Sequence, residues 1–308
     1  MLNHTEVSEF ILLGLTDIQG LQYFFFILFL LLYLTSVLGN GVIVIMVISQ
    51  PRLHTPMYFF LGNLSCLDIF YSTVTVPKML TGFLFGRQPI SFGGCLAQLY
   101  FFHFLGSTEA VLLAIMAYDR YVAICNPLCY TLVMNPRTCL LLAMTSWFLG
   151  FAHAMMHSIM TSQLSFCGHK HIHHFFCDIK PLLNLACSST SLNMALLNVV
   201  TTSIALGPFI LIILSYLYII IFLFQKVRSQ EGRWKPFSTC ASHLTVVALL
   251  YIPLFFNYTP PSSSRSSKRD MQVSIMYSAI TPALNPLIYT LRNKEVRSTL
   301  NNTLGRRL

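Results

Sequence analysis

Charge is what this 308-residue sequence has least of. Asp, Glu, Lys and Arg together make up 9% of it, against 55% hydrophobic residues. A soluble domain carries about 25% charged residues. A water-facing surface for the whole chain is therefore excluded, and the bulk solvent has to be lipid. Acidic residues are the scarcer sign, 10 against 19 Lys and Arg, which leaves a net charge of +9. Nucleic acid is nonetheless excluded as a partner, because the basic residues are scattered through short connectors rather than gathered on one polar domain. No loop is long enough to form a separate domain. No half of the chain repeats the other, which argues against a transporter built from inverted repeats. The first twenty residues contain Glu6, Glu9 and Asp17 but no Lys or Arg. That is the wrong chemistry for the start of a cleaved signal peptide, and none is expected.

What is present is a series of long apolar runs. Seven segments, about 21–48, 57–80, 96–124, 138–161, 192–224, 237–258 and 271–291, reach the roughly 20 residues needed to cross the hydrocarbon core. Lipid offers no partner to a free backbone group, so each must be helical. The expected fold is an all-α membrane protein, a seven-helix bundle forming one domain over residues 1–308. Placing the N-terminus outside puts twelve basic residues in the cytoplasm, Arg52, Arg120, Arg137, Lys226, Arg228, Arg233, Lys235, Arg292, Lys294, Arg297, Arg306 and Arg307. Seven remain on the other side, Lys78, Arg87, Lys170, Lys180, Arg265, Lys268 and Arg269. The excess follows the positive-inside rule. In the cytoplasmic tail, 292–308, Val296, Leu300 and Leu304 recur at spacing four and predict a short amphipathic helix on the inner leaflet. Asn3-His4-Thr5 is an N-glycosylation sequon on the outer side. The sequons at Asn63, Asn257 and Asn301 fall in a span, at a helix end and in the cytoplasm, and are read as chance.

Ionisable groups inside spans are costly, so each is a functional candidate. Asp68 lies mid-span in the second run and Glu109 in the third. Two carboxylates in a bundle interior repel unless one is protonated or a cation sits between them. With Asn40 and Asn285 in the same bundle, Na⁺ is the candidate ion. The plainer reading makes Asp68 interhelical glue, hydrogen-bonded to Asn40, Asn285 and water. The third run ends "MAYDRYVAIC", where Arg120 can pair with Asp119 or exchange partners as helices move. An interfacial arginine reaching for water is the plainer alternative. In "PALNPLIYTLRN", Pro286 removes one helical hydrogen bond. Asn285 is expected to bond the freed backbone, with Tyr289 one turn below.

The stretch "HKHIHHFFCD" (169–178) follows Cys167 and contains Cys177. If it is extended, His169, His171 and His173 share one face and could hold Zn²⁺ or Cu²⁺ with a water in the open position. Against that, residues i and i+2 of a strand stand about 6–7 Å apart, which suits a polar lid better. The four cysteines assigned to the outer side, Cys95, Cys167, Cys177 and Cys187, allow three pairings. Cys66, Cys125, Cys129, Cys139 and Cys240 fall in spans or cytoplasm and are expected to be free thiols.

Asn40, Asp68, Asp-Arg-Tyr at 119–121, Trp147 and Asn-Pro-Leu-Ile-Tyr at 285–289 fall in order at matching span positions. Together they resemble the rhodopsin-like G-protein-coupled receptors. "LHTPMYFFLGNLSCLD" (53–68), "MAYDRYVAICNPLCY" (116–130), "SY" (215–216), "KPFSTCASHL" (235–244) and "PALNPLIYTLRN" (282–293) resemble, more narrowly, the signature set of olfactory receptors of the tetrapod-type class. Pro236 departs from the small residue usual there, and Cys66 from an aromatic or aliphatic one. The resemblance implies disulfides Cys95–Cys177 and Cys167–Cys187 and a plasma-membrane location. It implies a small volatile odorant as ligand and no required cofactor. The partner it implies is a heterotrimeric G protein of the stimulatory olfactory type, raising cyclic AMP. Guided by it, the ligand wall is expected from Phe102, His103, Gly106, Ser107, Val200, Ile204, Tyr251, Leu254, Tyr258 and Ser278, a mostly apolar pocket. For any one aromatic, core packing is the competing reading. The switch is expected from Asp119, Arg120, Tyr121, Tyr216, Asn285, Pro286 and Tyr289. A rhodopsin-like receptor outside olfaction is the alternative. A channel or transporter using Asp68 and Glu109 is a further one. An enzyme is disfavoured, because His103, His153 and His157, the span histidines outside "CASHL", have no carboxylate pair at ligand spacing.

Overall fold

The computed structural model describes residues 7–16, 18–168, 170–227, 229–258, 266–292 and Val296, with backbone alone at 230–239, 256–258, 266–269 and 291–292. Among the described residues, seven long helical rods form a bundle. The first six are Gln19–Ser49, Pro56–Phe85, Phe92–Cys125, Pro136–Ser162, Ser191–Lys226 and Gln230–Tyr258. The seventh runs through three consecutive pieces, Ser266–Ile275, Met276–Ile280 and Thr281–Arg292. Among the described residues, the first five are each long and apolar enough to cross a membrane, and the sixth has an apolar centre at Cys240–Phe255.

Helix starts follow local chemistry. The Ser91 hydroxyl accepts from the Gly94 N–H at 3.1 Å at the head of the third helix. Asn135 Oδ1 accepts from the Thr138 N–H at 3.0 Å ahead of Pro136, which opens the fourth. Both are N-caps that satisfy an otherwise orphaned donor. The second helix stops at Gly86, whose φ of +75° suits glycine. Several rods outrun their apolar segments. The second continues to Phe85, the sixth begins at Gln230 and the seventh at Ser266. Hydropathy marks the lipid-crossing part of a rod, whereas backbone hydrogen bonding continues into the polar zone. Pro236 accordingly lies in the second turn of the sixth helix rather than at its start.

Two glycines let rods touch. A Cβ on Gly150 of the fourth helix would sit 2.1 Å from Thr108 Oγ1 and 2.7 Å from the Phe104 carbonyl of the third. A Cβ on Gly39 of the first would sit 2.8 Å from Pro286 Cγ of the seventh. Small residues at such crossings are how membrane helices approach closely. Trp147 Nε1 of the fourth helix donates to Asn63 Oδ1 of the second at 3.2 Å, so Asn63 is part of the interior bracing.

One end of the bundle carries a small three-stranded sheet that the sequence did not announce. Strand β1 (Glu9–Leu12) lies between antiparallel β2 (Gln88–Ser91) and parallel β3 (His171–Ile172). Phe10 on β1 is fully buried against Phe92 and Phe166. Disulfides Cys95–Cys177 and Cys167–Cys187 tie the loop after the fourth helix to the third helix and to itself. Gln98 reinforces the first tie. Its Oε1 accepts from the Cys177 N–H, and its Nε2 donates to the Val74 carbonyl, both at 2.9 Å. Asn3 and the amphipathic tail residues Leu300 and Leu304 lie outside the described residues.

Candidate functional site

Beneath this sheet a cavity of about 340 Å³ opens between the third, fifth, sixth and seventh helices. Phe102, His103, Gly106 and Ser107 line it from the third helix, Ile204 from the fifth and Leu254 from the sixth. These six are among the positions expected from the resemblance. Of the other four ligand positions, Val200, Tyr251 and Ser278 are not in the wall. Val200 gives way to Thr201, Ser278 to Ser274 and Tyr277, and Tyr251 to Leu250. For the first two the reason is a change of helical period. Leu197–Thr201 and Met276–Ile280 are π-helical, and a π turn holds more residues than an α turn. Val200 and Ser278 lie inside these turns, where a 3.6-residue period no longer gives the face a side chain takes. Ser278 is fully buried instead, and Tyr251 packs on Phe209 at 4.7 Å between ring centroids. The Tyr258 side chain lies outside the described residues.

The wall also holds residues the sequence reading passed over: Tyr71, His153, Asn198, and Asp178 and Lys180 from the loop. The signal for His153 was available. His153 and His157 are spaced i, i+4 on the fourth helix and therefore share a face. That face meets His103, the three ring centroids standing 4.7 to 5.6 Å apart.

Of the three loop histidines in the metal reading, His171 and His173 are described. Among the described residues of this stretch, strand β3 covers His171 and Ile172, and His173 lies in the bend that follows. The strand does not extend through His173, yet His171 and His173 both line one open surface pocket with Leu13, Arg87 and Leu185. His169 lies outside the described residues. Among those described, no group of three or more His, Cys, Asp or Glu side chains is placed to hold a metal ion. His174 is instead buried between the Phe175 and Phe176 rings, where desolvation pulls its pKa down to about 4.

Midway down the bundle, Asn285 Nδ2 donates to both oxygens of Asp68 at 3.1 and 3.0 Å. Asn40 does not join them. It donates to the Pro282 carbonyl at 2.9 Å. That carbonyl lies four residues before Pro286 and is the one the proline leaves without a donor. Asn40 thus meets the freed backbone that Asn285 was expected to bond, while Asn285 holds the Asp68 carboxylate as the interhelical-glue reading had it. Glu109 Oε1, Asn40 Oδ1 and Asn285 Oδ1 are buried acceptors with no hydrogen-bond partner among the described residues.

At the far end, Asp119 is fully buried and its Oδ2 accepts from both Nε and Nη2 of Arg120. The Tyr130 hydroxyl donates to Asp119 Oδ1 at 2.8 Å. Tyr216 faces His243 instead of Arg120, its hydroxyl 2.8 Å from Nδ1. His243 Nε2 lies 3.1 Å from the Leu113 carbonyl. A carbonyl only accepts, so the ring proton sits on Nε2 and the tyrosine hydroxyl donates to Nδ1. Third, fifth and sixth helices are thus joined through one imidazole. Tyr289 is buried with its hydroxyl unpartnered among the described residues. Tyr121 packs edge-on against Tyr218.

Seven rods, a disulfide-tethered loop over a cavity, and a buried Asp-Arg pair at the opposite end define the fold of a heptahelical G-protein-coupled receptor. Squid rhodopsin has a similar structure, with a TM-score of 0.67 and 16% identity over 95% of this chain and 88% of its own. The family model "Olfactory receptor" matches residues 29–307. Human olfactory receptor 12D1 is 60% identical over 99% of this chain and 96% of its own length. Human olfactory receptor 12D3 is 58% identical over 100% and 98%. Mouse olfactory receptor 5G9 is 47% identical over 99% and 96%. The chain belongs to the olfactory receptor family, whose members are multi-pass membrane receptors acting through G proteins and not enzymes.

Proposed function

We propose that the chain resides in the plasma membrane with its N-terminus outside, and that it binds a small volatile odorant in the sheet-end cavity. Binding activates a stimulatory olfactory-type G protein and raises cyclic AMP. The observation that carries this reading is the pairing of a half-open cavity at one end with a closed polar latch at the other, both using residues of the third helix. A cavity of about 340 Å³ is at the lower end of the roughly 300–1,000 Å³ usual for small-molecule sites. Phe102, Ile204 and Leu254 supply apolar wall. A ligand shifts the balance only by binding one arrangement more tightly than another. Contacts with the third and sixth helices together give it that leverage.

In the active arrangement Arg120 leaves Asp119 and meets Tyr216 and Tyr289. For that, Tyr216 must first part from His243. Na⁺ would sit between Asp68 and Glu109, taken up by the unpartnered oxygens of Glu109, Asn40 and Asn285. Its chemistry there is charge neutralisation between two buried carboxylates.

Arg120→Ala tests the mechanism. Ligand-driven cyclic AMP is expected to vanish while surface expression stays at the parental level. A full response from that variant would overturn the proposal.

A further inference from the structure

The cavity is divided chemically. At its rim stand groups of fixed polarity, Asp178, which accepts, and Lys180, which donates and lies 3.9 Å from Asp270. Deeper, on one face of the third helix, are His103 and Ser107, spaced i, i+4. His103 Nε2 is buried and has no hydrogen-bond partner among the described residues. Its nearest charged neighbour, Asp178 Oδ1, is 3.8 Å away, beyond hydrogen-bond reach. Ser107 Oγ lies 2.8 Å from His153 Nδ1, whose Nε2 lies 3.1 Å from Thr201 Oγ1. Thr201 Oγ1 is in turn 3.2 Å from His157 Nε2.

Every atom in this chain can donate or accept, since a neutral imidazole has two tautomers and a hydroxyl does both. The chain therefore has two complete settings. In one, His157 donates to Thr201, Thr201 to His153 and His153 to Ser107, which leaves the Ser107 proton free for the cavity. In the other, Ser107 donates to His153, His153 to Thr201 and Thr201 to His157, and Ser107 presents only lone pairs. No hydrogen bond within the chain is lost on reversal. His103 Nε2 has the same choice by tautomer.

We propose, resting on the odorant-binding reading above, that the ligand class is neutral oxygenated molecules with one hydroxyl or carbonyl group docked between His103 Nε2 and Ser107 Oγ. Because both contacts reverse polarity, the site reads the carbon skeleton and the position of the oxygen but not its oxidation level. An alcohol and the ketone or aldehyde of the same skeleton are then nearly equivalent agonists.

The test uses the full chain in cells with a cyclic AMP reporter and a surface epitope. The probes are hydrocarbons, alcohols, aldehydes, ketones, carboxylic acids and amines of six to ten carbons in matched skeletons. The agonists are expected to be alcohols and carbonyl compounds, with paired members within about threefold in half-maximal concentration. Ser107→Ala is expected to weaken both members of a pair equally, by roughly threefold to tenfold, the loss of one hydrogen bond. His157 does not line the cavity and acts as a positioning residue. His157→Gln keeps a group that both donates and accepts and is expected to preserve the pairing. His157→Leu is expected to lower potency for both.

Agonism confined to acids, amines or hydrocarbons would overturn the proposal and leave the receptor reading intact. So would an alcohol whose ketone is more than about thirtyfold weaker. A surface-expressed chain that answers no probe, while Arg120→Ala leaves basal cyclic AMP unchanged, would overturn both.

Discussion

At the cavity end of the bundle, His103, Ser107, His153, His157 and Thr201 meet with polar groups whose donor and acceptor roles are reversible, and one ring nitrogen is left over. At the opposite end Asp119, Arg120 and Tyr130 meet with roles that are fixed. The carboxylate only accepts, the guanidinium only donates, and both carboxylate oxygens are taken. The first arrangement can accommodate an incoming group without losing a bond. The second holds one state until a competing partner is brought to it. The third helix, Phe92–Cys125, contributes to both, His103 and Ser107 at one end and Asp119 and Arg120 at the other, so under the proposed mechanism it is the element that links them. The contrast is a division of labour along one rod, with reversible donors and acceptors at the cavity and matched charge at the opposite end.

The largest effect is expected from breaking what the two ends share. The third and fourth helices touch where Gly150 meets Thr108 and Phe104, with no room for a methyl group. Overpacking of this kind costs about 1–3 kcal/mol where neighbours can shift, and more against a backbone carbonyl. Gly150→Ala is expected to remove most surface expression, and with it ligand response and basal coupling alike. Gly41→Ala, where nothing lies within 4 Å, is the control and should express normally. Normal surface levels for Gly150→Ala, read by cytometry, would mean the rods can separate and that the ends are not rigidly linked. Arg120→Ala, by contrast, should remove the answer and leave the cavity whole.

A smaller effect, confined to the cavity end, comes from His174. Burial among aromatic rings lowers its pKa to about 4, and Asp178 offsets only part of this. In the unfolded chain the ring titrates near 6.5. Between those values the unfolded state binds the extra proton. The stability is therefore fully present above pH 6.5 and is lost as pH falls toward 4. At pH 5 the loss from this group is about 2 kcal/mol. Purified receptor should melt at a lower temperature at pH 5 than at pH 7, and His174→Phe should reduce that difference. An unchanged pH dependence in the variant would show that His174 is not what makes this end acid-sensitive.

Much of the bundle was legible because long apolar runs in a low-charge sequence leave few alternatives to membrane helices. The third-helix part of the site was legible for a related reason. One uninterrupted α-helical period carries Phe102, His103, Gly106 and Ser107 onto one face. Legibility failed where the period changed, at the two π turns that turn Val200 and Ser278 away from the cavity. It failed again where partners were chosen across helices. Nothing in "ALNPL" says that the carbonyl freed by Pro286 is met from Asn40, 242 positions before Pro282. The sheet was hidden because its strands are two to four residues long and drawn from three separate parts of the chain. His153 and His157 were visible at helical spacing, but their meaning depended on His103, which another helix supplies.

The finest distinction between the ends lies in one hydroxyl. Tyr130 follows the third helix and donates to Asp119 Oδ1. Burial, followed by the Asp119 charge, pushes its pKa upward, so it stays a donor throughout the physiological range. It thereby holds the second carboxylate oxygen and keeps Asp119 oriented toward Arg120. Tyr130→Phe removes that bond and leaves the ring. One hydrogen bond to a charged group is worth about 1.5–3 kcal/mol at most, and the half-exposed setting of Tyr130 reduces it. Basal cyclic AMP is expected to rise by roughly twofold to threefold, with the odorant concentration for half-maximal response slightly lowered and alcohol–ketone pairing unchanged. If basal activity falls, Tyr130 serves the active arrangement rather than the resting one. If the pairing changes, the reversible chemistry of the cavity and the fixed chemistry of the latch are not separable, and the division of labour along the third helix is wrong.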